Sequence, residues 1–355
     1  MAATPDKAPF DYIVVGAGSA GCVLANRLTE SGRHRVLLLE AGGHDRHIWI
    51  HIPLGYSKLF DNAKVNWLYK TEPEPELNNR QIIQPRGRVL GGSSSINGLL
   101  YVRGQHEDYD HWRQLGNTGW GFADVLPYFR RAEDQERGAD DFHGAGGPLA
   151  VSDVCEPHPL CEAFIEAAQR AGVPRNDDFN GAIMSRKGLL TIGAGYAGAF
   201  LRTRRELATP DVQIHFLIFS ADAAGGRLHA FPGFMASVCQ LRPESRGFVR
   251  IKSSDPAVPP AIQPRYLSAR SDCDTVVAGM KGMRRIMNEP AMRRYIAQER
   301  APGEHCVIDD DDLLAFARDT APRSTTDLDL PHGPRSVGRR RRTLARAGLR
   351  APARD

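Results

Sequence analysis

Apolar positions near the start of the chain fall into short unbroken runs rather than alternating ones. Tyr12 to Val15 and Arg35 to Leu39 read as two strands buried on both faces, as parallel strands are. Between them a helix opens behind a run of glycines and stops at Ser31-Gly32. Further on, Asp124 to Arg131, Pro159 to Gly172 and Cys273 to Met287 carry the helical period. The last of these gathers Val276, Val277, Met280, Met283 and Met287 on one face, which predicts core packing. Gly247 to Ile251 alternates like a strand. Asn66 to Pro75 reads as an extended segment broken by Glu-Pro repeats, and the stretch holding His44, His47 and His51 as a loop.

Composition adds that the chain is globular. With 355 residues and 41% apolar content it can fill one large domain or two ordinary ones. Residues 1–10 lack an apolar core and a small-residue cleavage site, and no run of eighteen apolar residues occurs, so a cytoplasmic protein is expected, with peripheral attachment to a membrane left open. Cys22, Cys155, Cys161, Cys239, Cys273 and Cys306 form no C-x-x-C pair, which favours reduced thiols over disulfides or zinc. The three clustered histidines, with Asp45 among them, lie in an irregular loop-like stretch and read as solvated or core-edge side chains, so no metal site is expected. The net charge of +4 is placed unevenly. Pro334 to Asp355 holds eight Arg and one Asp, +7 in all, which leaves −3 for residues 1–333. Nucleic acid is therefore not an expected partner, and the tail reads as disordered.

The glycines carry the first chemistry. Gly16, Gly18 and Gly21 stand at G-x-G-x-x-G spacing between a strand and a helix, and Glu40 follows nineteen residues after Gly21 at the end of the second strand. Gly16 permits the tight turn, Gly18 a close backbone approach to a pyrophosphate, and Gly21 close packing of helix on strand. The helix N-terminus holds phosphate, and the acid accepts from a ribose. The unit serves NAD and FAD alike. A second small-residue stretch, Pro85 to Gly104 (PRGRVLGGSSSINGLLYVRG), offers backbone and hydroxyl groups to a flat or phosphate-bearing ligand.

Together, DYIVVGAGSAGCVLANRL with LLLEAGG, GRVLGGSSSINGLLYVRG and the downstream DYDHW resemble the glucose–methanol–choline (GMC) oxidoreductases, in character the choline dehydrogenase and alcohol dehydrogenase (acceptor) members. Residues 240–267 resemble the family's substrate domain. The resemblance implies an α/β fold, α+β overall: a Rossmann-like FAD-binding domain over residues 8–187, incomplete in its middle, and a substrate domain on a mostly antiparallel sheet over 188–322, followed by the tail, 323–355. It implies FAD held by Gly16, Gly18, Ser19, Gly21, Glu40 and Ala41, with Val89, Gly92, Ser93 and Asn97 along the flavin. Ile96 stands where some members carry a flavin-linked His, so noncovalent FAD is expected. The implied substrate is a small alcohol, the acceptor a quinone or dye-like compound.

Two departures qualify that expectation. About seven residues bridge Asn180 to Gly188 where the family has a long middle section, so the sheet should lack strands and leave apolar edges uncovered. Past Thr320 the family's catalytic His segment is replaced. His332 has the wrong neighbours, His215 and His305 have no partner motif, and no catalytic residue is assigned. Three readings follow: an FAD-dependent alcohol or choline-type dehydrogenase, a noncatalytic remnant binding FAD or AMP weakly or failing to fold, and an NAD(P) dehydrogenase. The last leaves GGSSSIN and residues 240–267 unexplained. Leu313 to Thr320 resembles the family's approach to its catalytic segment, and with permissible codon choices a one-nucleotide shift over Thr326 to Gly333 would give Pro-Thr-Ser-Thr-Cys-Arg-Met-Gly, which holds that segment's Thr-Cys-Arg-Met-Gly, so a frameshift is expected. Resequencing the locus should restore that frame; an unbroken native frame through the Arg-rich tail would refute it.

Overall fold

The computed structural model describes residues 9–153, 158–176, 178, 180, 189–192, 195–221, 229–303 and 309–320. Expectations placed on Cys155, the 181–188 junction, His305, Cys306 and everything after Thr320, His332 and the tail included, lie outside them.

Strand β1 (Tyr12–Val15) pairs in parallel with β2 (Val36–Leu39) through helix α1 (Ser19–Thr29), Tyr12 opposite Val36 and Val15 opposite Leu39. Gly32, at φ +68°, lies just beyond the end of α1, in the backbone region that glycine enters without strain. The sequence pattern located these three elements. Their surroundings differ from those of an ordinary parallel sheet, whose strands are covered on both sides. Among the described residues β1 and β2 form a sheet of two, and Ile13 and Val15 are 62% and 82% exposed. Val23, Leu24 and Leu39 are exposed as well. The apolar runs are those of a buried sheet, and the elements that would bury them are not among the described ones.

A small helix interrupts the expected histidine loop: α2 (Ile48–His51), with His47 as its cap. The three histidines do not converge. His47 Nδ1 accepts from Trp49 N and its Nε2 meets Asn62 Nδ2, while His51 Nε2 meets the Asp45 carbonyl. Short ladders follow, β3 (Tyr69–Lys70) with β4 (Ile83–Gln84) and β5 (Glu133–Gln135) with β6 (Leu149–Val151), together with α3 (His106–Gln114) and α4 (Phe122–Ala132).

The best-filled core lies in the second half. Strands β7 (Leu189–Ile192), β8 (Gly195–Leu201), β9 (Val212–Leu217) and β10 (Met235–Gln240) make an antiparallel sheet in the order β10-β9-β8-β7. Helices α5 (Pro159–Arg170), α6 (Arg270–Asn288) and α7 (Pro290–Arg293) pack on it. Alternation on β9 places Val212, Ile214 and Phe216 in this core, all fully buried, and Phe216 stacks on Phe164 of α5 at 4.7 Å between ring centres. Val277 and Met280 of α6 are buried, with Val276, Met283 and Met287 partly so, which is the expected core face. Two further pieces are the ladder of β11 (Phe248–Arg250) with β12 (Ala261–Gln263) and helix α8 (Asp310–Thr320), which packs against α6. The fold is thus α/β in its first part, with a mostly antiparallel sheet in its second.

A buried ionic network ties the middle of the chain. Glu133, fully buried, accepts from Arg103 Nη2 at 2.7 Å and faces His143 Nδ1 at 3.0 Å; His143 Nε2 meets Asp178 at 3.0 Å. Arg103 Nη1 also donates to the Phe142 carbonyl, and its backbone N–H to Asn180. Asp140 accepts from the backbone of Phe142 and His143. Burial alone would lower the pKa of His143, but its bonds to Asp178 and Glu133 outweigh that and raise it to about 9. Asp178, conversely, is lowered: burial opposes ionisation and the His143 contact overcomes it. Asp140, His143 and Asp178 lie close enough to share a metal ion, yet both His143 ring nitrogens are already engaged by carboxylates.

The sign of the resulting pH dependence follows. A histidine raised from 6.5 to about 9 on folding stabilises fully below pH 6.5, and that contribution is lost as pH rises through 9. The thermal midpoint should therefore fall between pH 6.5 and 9.5. His143→Gln should cost about 2 kcal/mol at pH 6 and flatten the fall, because buried Glu133 keeps Arg103 but loses its second cationic partner and Asp178 loses the His143 contact. A pH profile identical in the two proteins would contradict this.

Candidate functional site

Two glycine segments far apart in sequence meet at the top of β1. Gly16 turns at φ +92°, and a Cβ on Gly21 would overlap the Gly16 carbonyl, so the helix sits on the strand as closely as backbone allows. Across from it, a single 3-10 turn, Gly92–Ser95, is entered through Gly91 at φ +93° and Gly92 at φ +58°. Gly91 N donates to the Ala17 carbonyl at 2.8 Å, and a Cβ on Gly92 would come within 2.8 Å of Gly18 Cα. The second segment is fastened to β2 too. Leu90 N donates to the Gly43 carbonyl at 2.9 Å, Gly43 bridges Val89, and a Cβ on Gly42 would overlap the Arg88 carbonyl. Two backbone approaches open only to glycine, Gly92 on Gly18 and Gly42 on Arg88, lock the two motifs together, and a third, Gly21 on Gly16, seats the helix within the first.

Glu40 closes the turn from below. Its Oε2 accepts from Ala17 N at 2.7 Å and its Oε1 from Gly42 N at 2.9 Å. Each oxygen keeps a further lone pair for a hydroxyl donor. Cys22 lies beside this carboxylate, with its thiol donating to Ala17 O. Burial first and the Glu40 charge second raise its pKa, so it stays a protonated, inert thiol.

The start of α1 presents open donors. Its first helical bond runs from Cys22 N to Gly18 O, so the N–H groups of Ser19, Ala20 and Gly21 have no acceptor within the helix. No side chain caps Gly18, and the first turn carries no acid. A Cβ on Gly16 would meet nothing within 4 Å, and one on Gly18 only Gly92 Cα at 4.0 Å, which leaves free space in front of those donors. The arrangement, a positive helix end facing room, suits a phosphate or pyrophosphate.

The remaining residues expected at the site are placed as follows. Ser19 and Ala41 are exposed beside the turn. Val89 is fully buried with Ile50, Leu59, Val65 and Ile96, so it supports the segment from beneath. Gly92 is buried against Gly18. Ser93 Oγ accepts from Gly87 N, and Asn97 Oδ1 from Leu99 N, which leaves the Asn97 amide nitrogen for other contacts. His215 is buried within β9, in the other half of the molecule.

Comparisons with known proteins show the family. Residues 10–199 match the N-terminal region, and residues 243–327 the C-terminal region, of the family described as GMC oxidoreductase. The alcohol dehydrogenase [acceptor] of Pseudomonas putida is 28% identical over 464 aligned positions, covering 88% of this chain and 84% of that protein. Because the chain has 355 residues, more than a hundred of those positions have no residue here. The oxygen-dependent choline dehydrogenase of Photobacterium profundum is 53% identical over 174 residues, and the mitochondrial choline dehydrogenase of Mus musculus 50% over 186; these matches span 48% and 50% of this chain and 31% of each relative's length. Among solved structures, pyridoxine 4-oxidase from Mesorbium loti superposes with a TM-score of 0.78 at 21% identity, over 88% of this chain and 86% of that one, a likeness of fold alone.

The interlock can be tested on its own. Gly92→Ala should cost about 1–3 kcal/mol, since it adds a Cβ both at positive φ and against Gly18, whereas Gly43→Ala, with open space, should stay within about 0.5 kcal/mol. Equal stabilities in urea melts would show that the two segments do not meet as described.

Proposed function

This chain belongs to the GMC oxidoreductase family, and on that premise we propose that it binds one FAD noncovalently at the interlocked glycine segments and derives from enzymes that oxidise the CH–OH group of a small alcohol. The observation carrying the reading is the uncapped N-terminus of α1, open toward Gly16 and Gly18 and backed by Glu40. Ser19, Ala20 and Gly21 donate to the diphosphate through their backbone. Glu40 receives ribose hydroxyls on oxygens already fixed by Ala17 N and Gly42 N, so little side-chain order remains to be gained on binding. Gly92, Ser93 and Asn97 line the isoalloxazine side, and Ile96, buried, offers no nitrogen for a covalent link. The chemistry supplied by bound FAD is hydride acceptance from the alcohol carbon. The hydroxyl proton needs a base, for which His is the usual choice; no residue is assigned that role.

The names of the relatives make choline or another small alcohol the substrate of choice to test; the quinone or dye-like acceptor rests on the sequence resemblance, and the oxygen-dependent relatives make dioxygen the other acceptor to test. Residues 8–187 would form the nucleotide-binding part and 188–322 the substrate part. A second reading is favoured by the exposed faces of β1 and β2 and by the long alignment gap: nucleotide binding without turnover.

Titration of FAD into the full chain, followed by flavin fluorescence, separates the readings. Saturable quenching is expected, with stabilisation of about 2.7 kcal/mol at a free FAD a hundredfold above Kd, and release of all flavin into the supernatant on acid precipitation. NAD should give neither effect. Failure of folded protein to quench flavin would end the proposal, and choline- or alcohol-dependent dye reduction by the loaded protein would exclude the second reading.

A further inference from the structure

A cavity of about 580 Å³ lies between the C-terminal end of α5, the end of β8 and one side of α6. Its wall holds three arginines, Arg202, Arg205 and Arg285, and no carboxylate, although residues 1–333 sum to a negative charge. The fold sets these cations together. Gly279 and Gly282 let α6 sit directly on Val212, Val238 and Leu201, and Arg285 follows one turn later facing the same space. Arg202 Nη1 is held by the Leu207 carbonyl at 2.9 Å. Among the described residues the guanidinium groups of Arg205 and Arg285 have neither a hydrogen bond nor an ion-pair partner. Two unpaired guanidinium groups facing one concave wall concentrate positive potential there, and a guanidinium presents paired donors that match phosphate oxygens.

The size and the lining narrow the occupant. The volume is that of a small-molecule site and exceeds what a bare ion fills. Val173, Phe200 and Leu201 give it an apolar wall beside the cations. We propose that this cavity binds an organic phosphate monoester, its dianion matched to Arg205 and Arg285 with Arg202 beside them, and its apolar body against Val173 and Phe200. The site is built from elements other than the glycine motifs, and the proposal does not rest on flavin binding.

Phenyl phosphate is the probe, titrated calorimetrically into the full chain with and without saturating FAD. Saturable one-site binding is expected, with the same affinity in both conditions. Benzoate should bind more weakly and benzyl alcohol not at all. Arg205→Gln with Arg285→Gln, both exposed and unpaired, should retain the parent's melting midpoint and weaken phenyl phosphate at least about tenfold, since two charge-assisted contacts are lost. Absence of saturable heat, displacement by FAD, benzoate or benzyl alcohol binding as tightly, or a Kd in the double variant within about twofold of the parent would each overturn the assignment.

Discussion

The site depends on the absence of side chains at a few points of closest approach. Helix α1 can lie on β1 because position 21 has no Cβ, and the 85–95 segment can lie across both because positions 42 and 92 have none. Hydrogen bonds from Gly91 to Ala17 and from Leu90 to Gly43 then hold a contact that sterics merely permit. An open, donor-rich helix end is the product of that packing. The Glu40 carboxylate serves the loop's own amides before any ligand arrives, which makes it a structural member of the turn as well as a candidate ribose acceptor.

Much of this was legible in the chain. The runs YIVV and VLLL, the glycine spacing and the acid nineteen positions on specify strand, turn, helix and strand through local rules, and α5 and α6 follow from their period. The meeting of Gly18 with Gly92 was not readable from periodicity, since the partners are separated by more than seventy residues; only the family resemblance brought the two motifs to one site. The Arg103–Glu133–His143–Asp178 network was missed for the same reason. Its members come from different loops and short strands, and isolated charged residues in a sequence look alike whether they end in water or against each other. Helix α2 was missed because four residues, IWIH, carry too little period to distinguish from loop, and its cap is a histidine rather than a Ser, Thr, Asp or Asn.

The two halves are finished to different degrees. In the second, β9 is covered by helices and its alternating residues vanish from solvent. In the first, strands of the composition that normally occupies a sheet centre leave Tyr12, Ile13, Val15 and Leu39 in water and bury the rest only in part. The expectation of uncovered apolar edges, drawn from the short 180–188 junction, agrees with the exposure of Ile13 and Val15 and with an alignment that runs more than a hundred positions longer than the chain.

That imbalance reaches cooperativity. A two-stranded unit with few buried apolar neighbours has little free energy of its own holding it shut, whereas the helix-backed sheet opens only when a dense core is lost. Slow amide exchange would then belong to β9 and α5 and fast exchange to β1 and β2. A single unfolding midpoint would describe whichever half carries the spectroscopic probe, not the molecule as one transition.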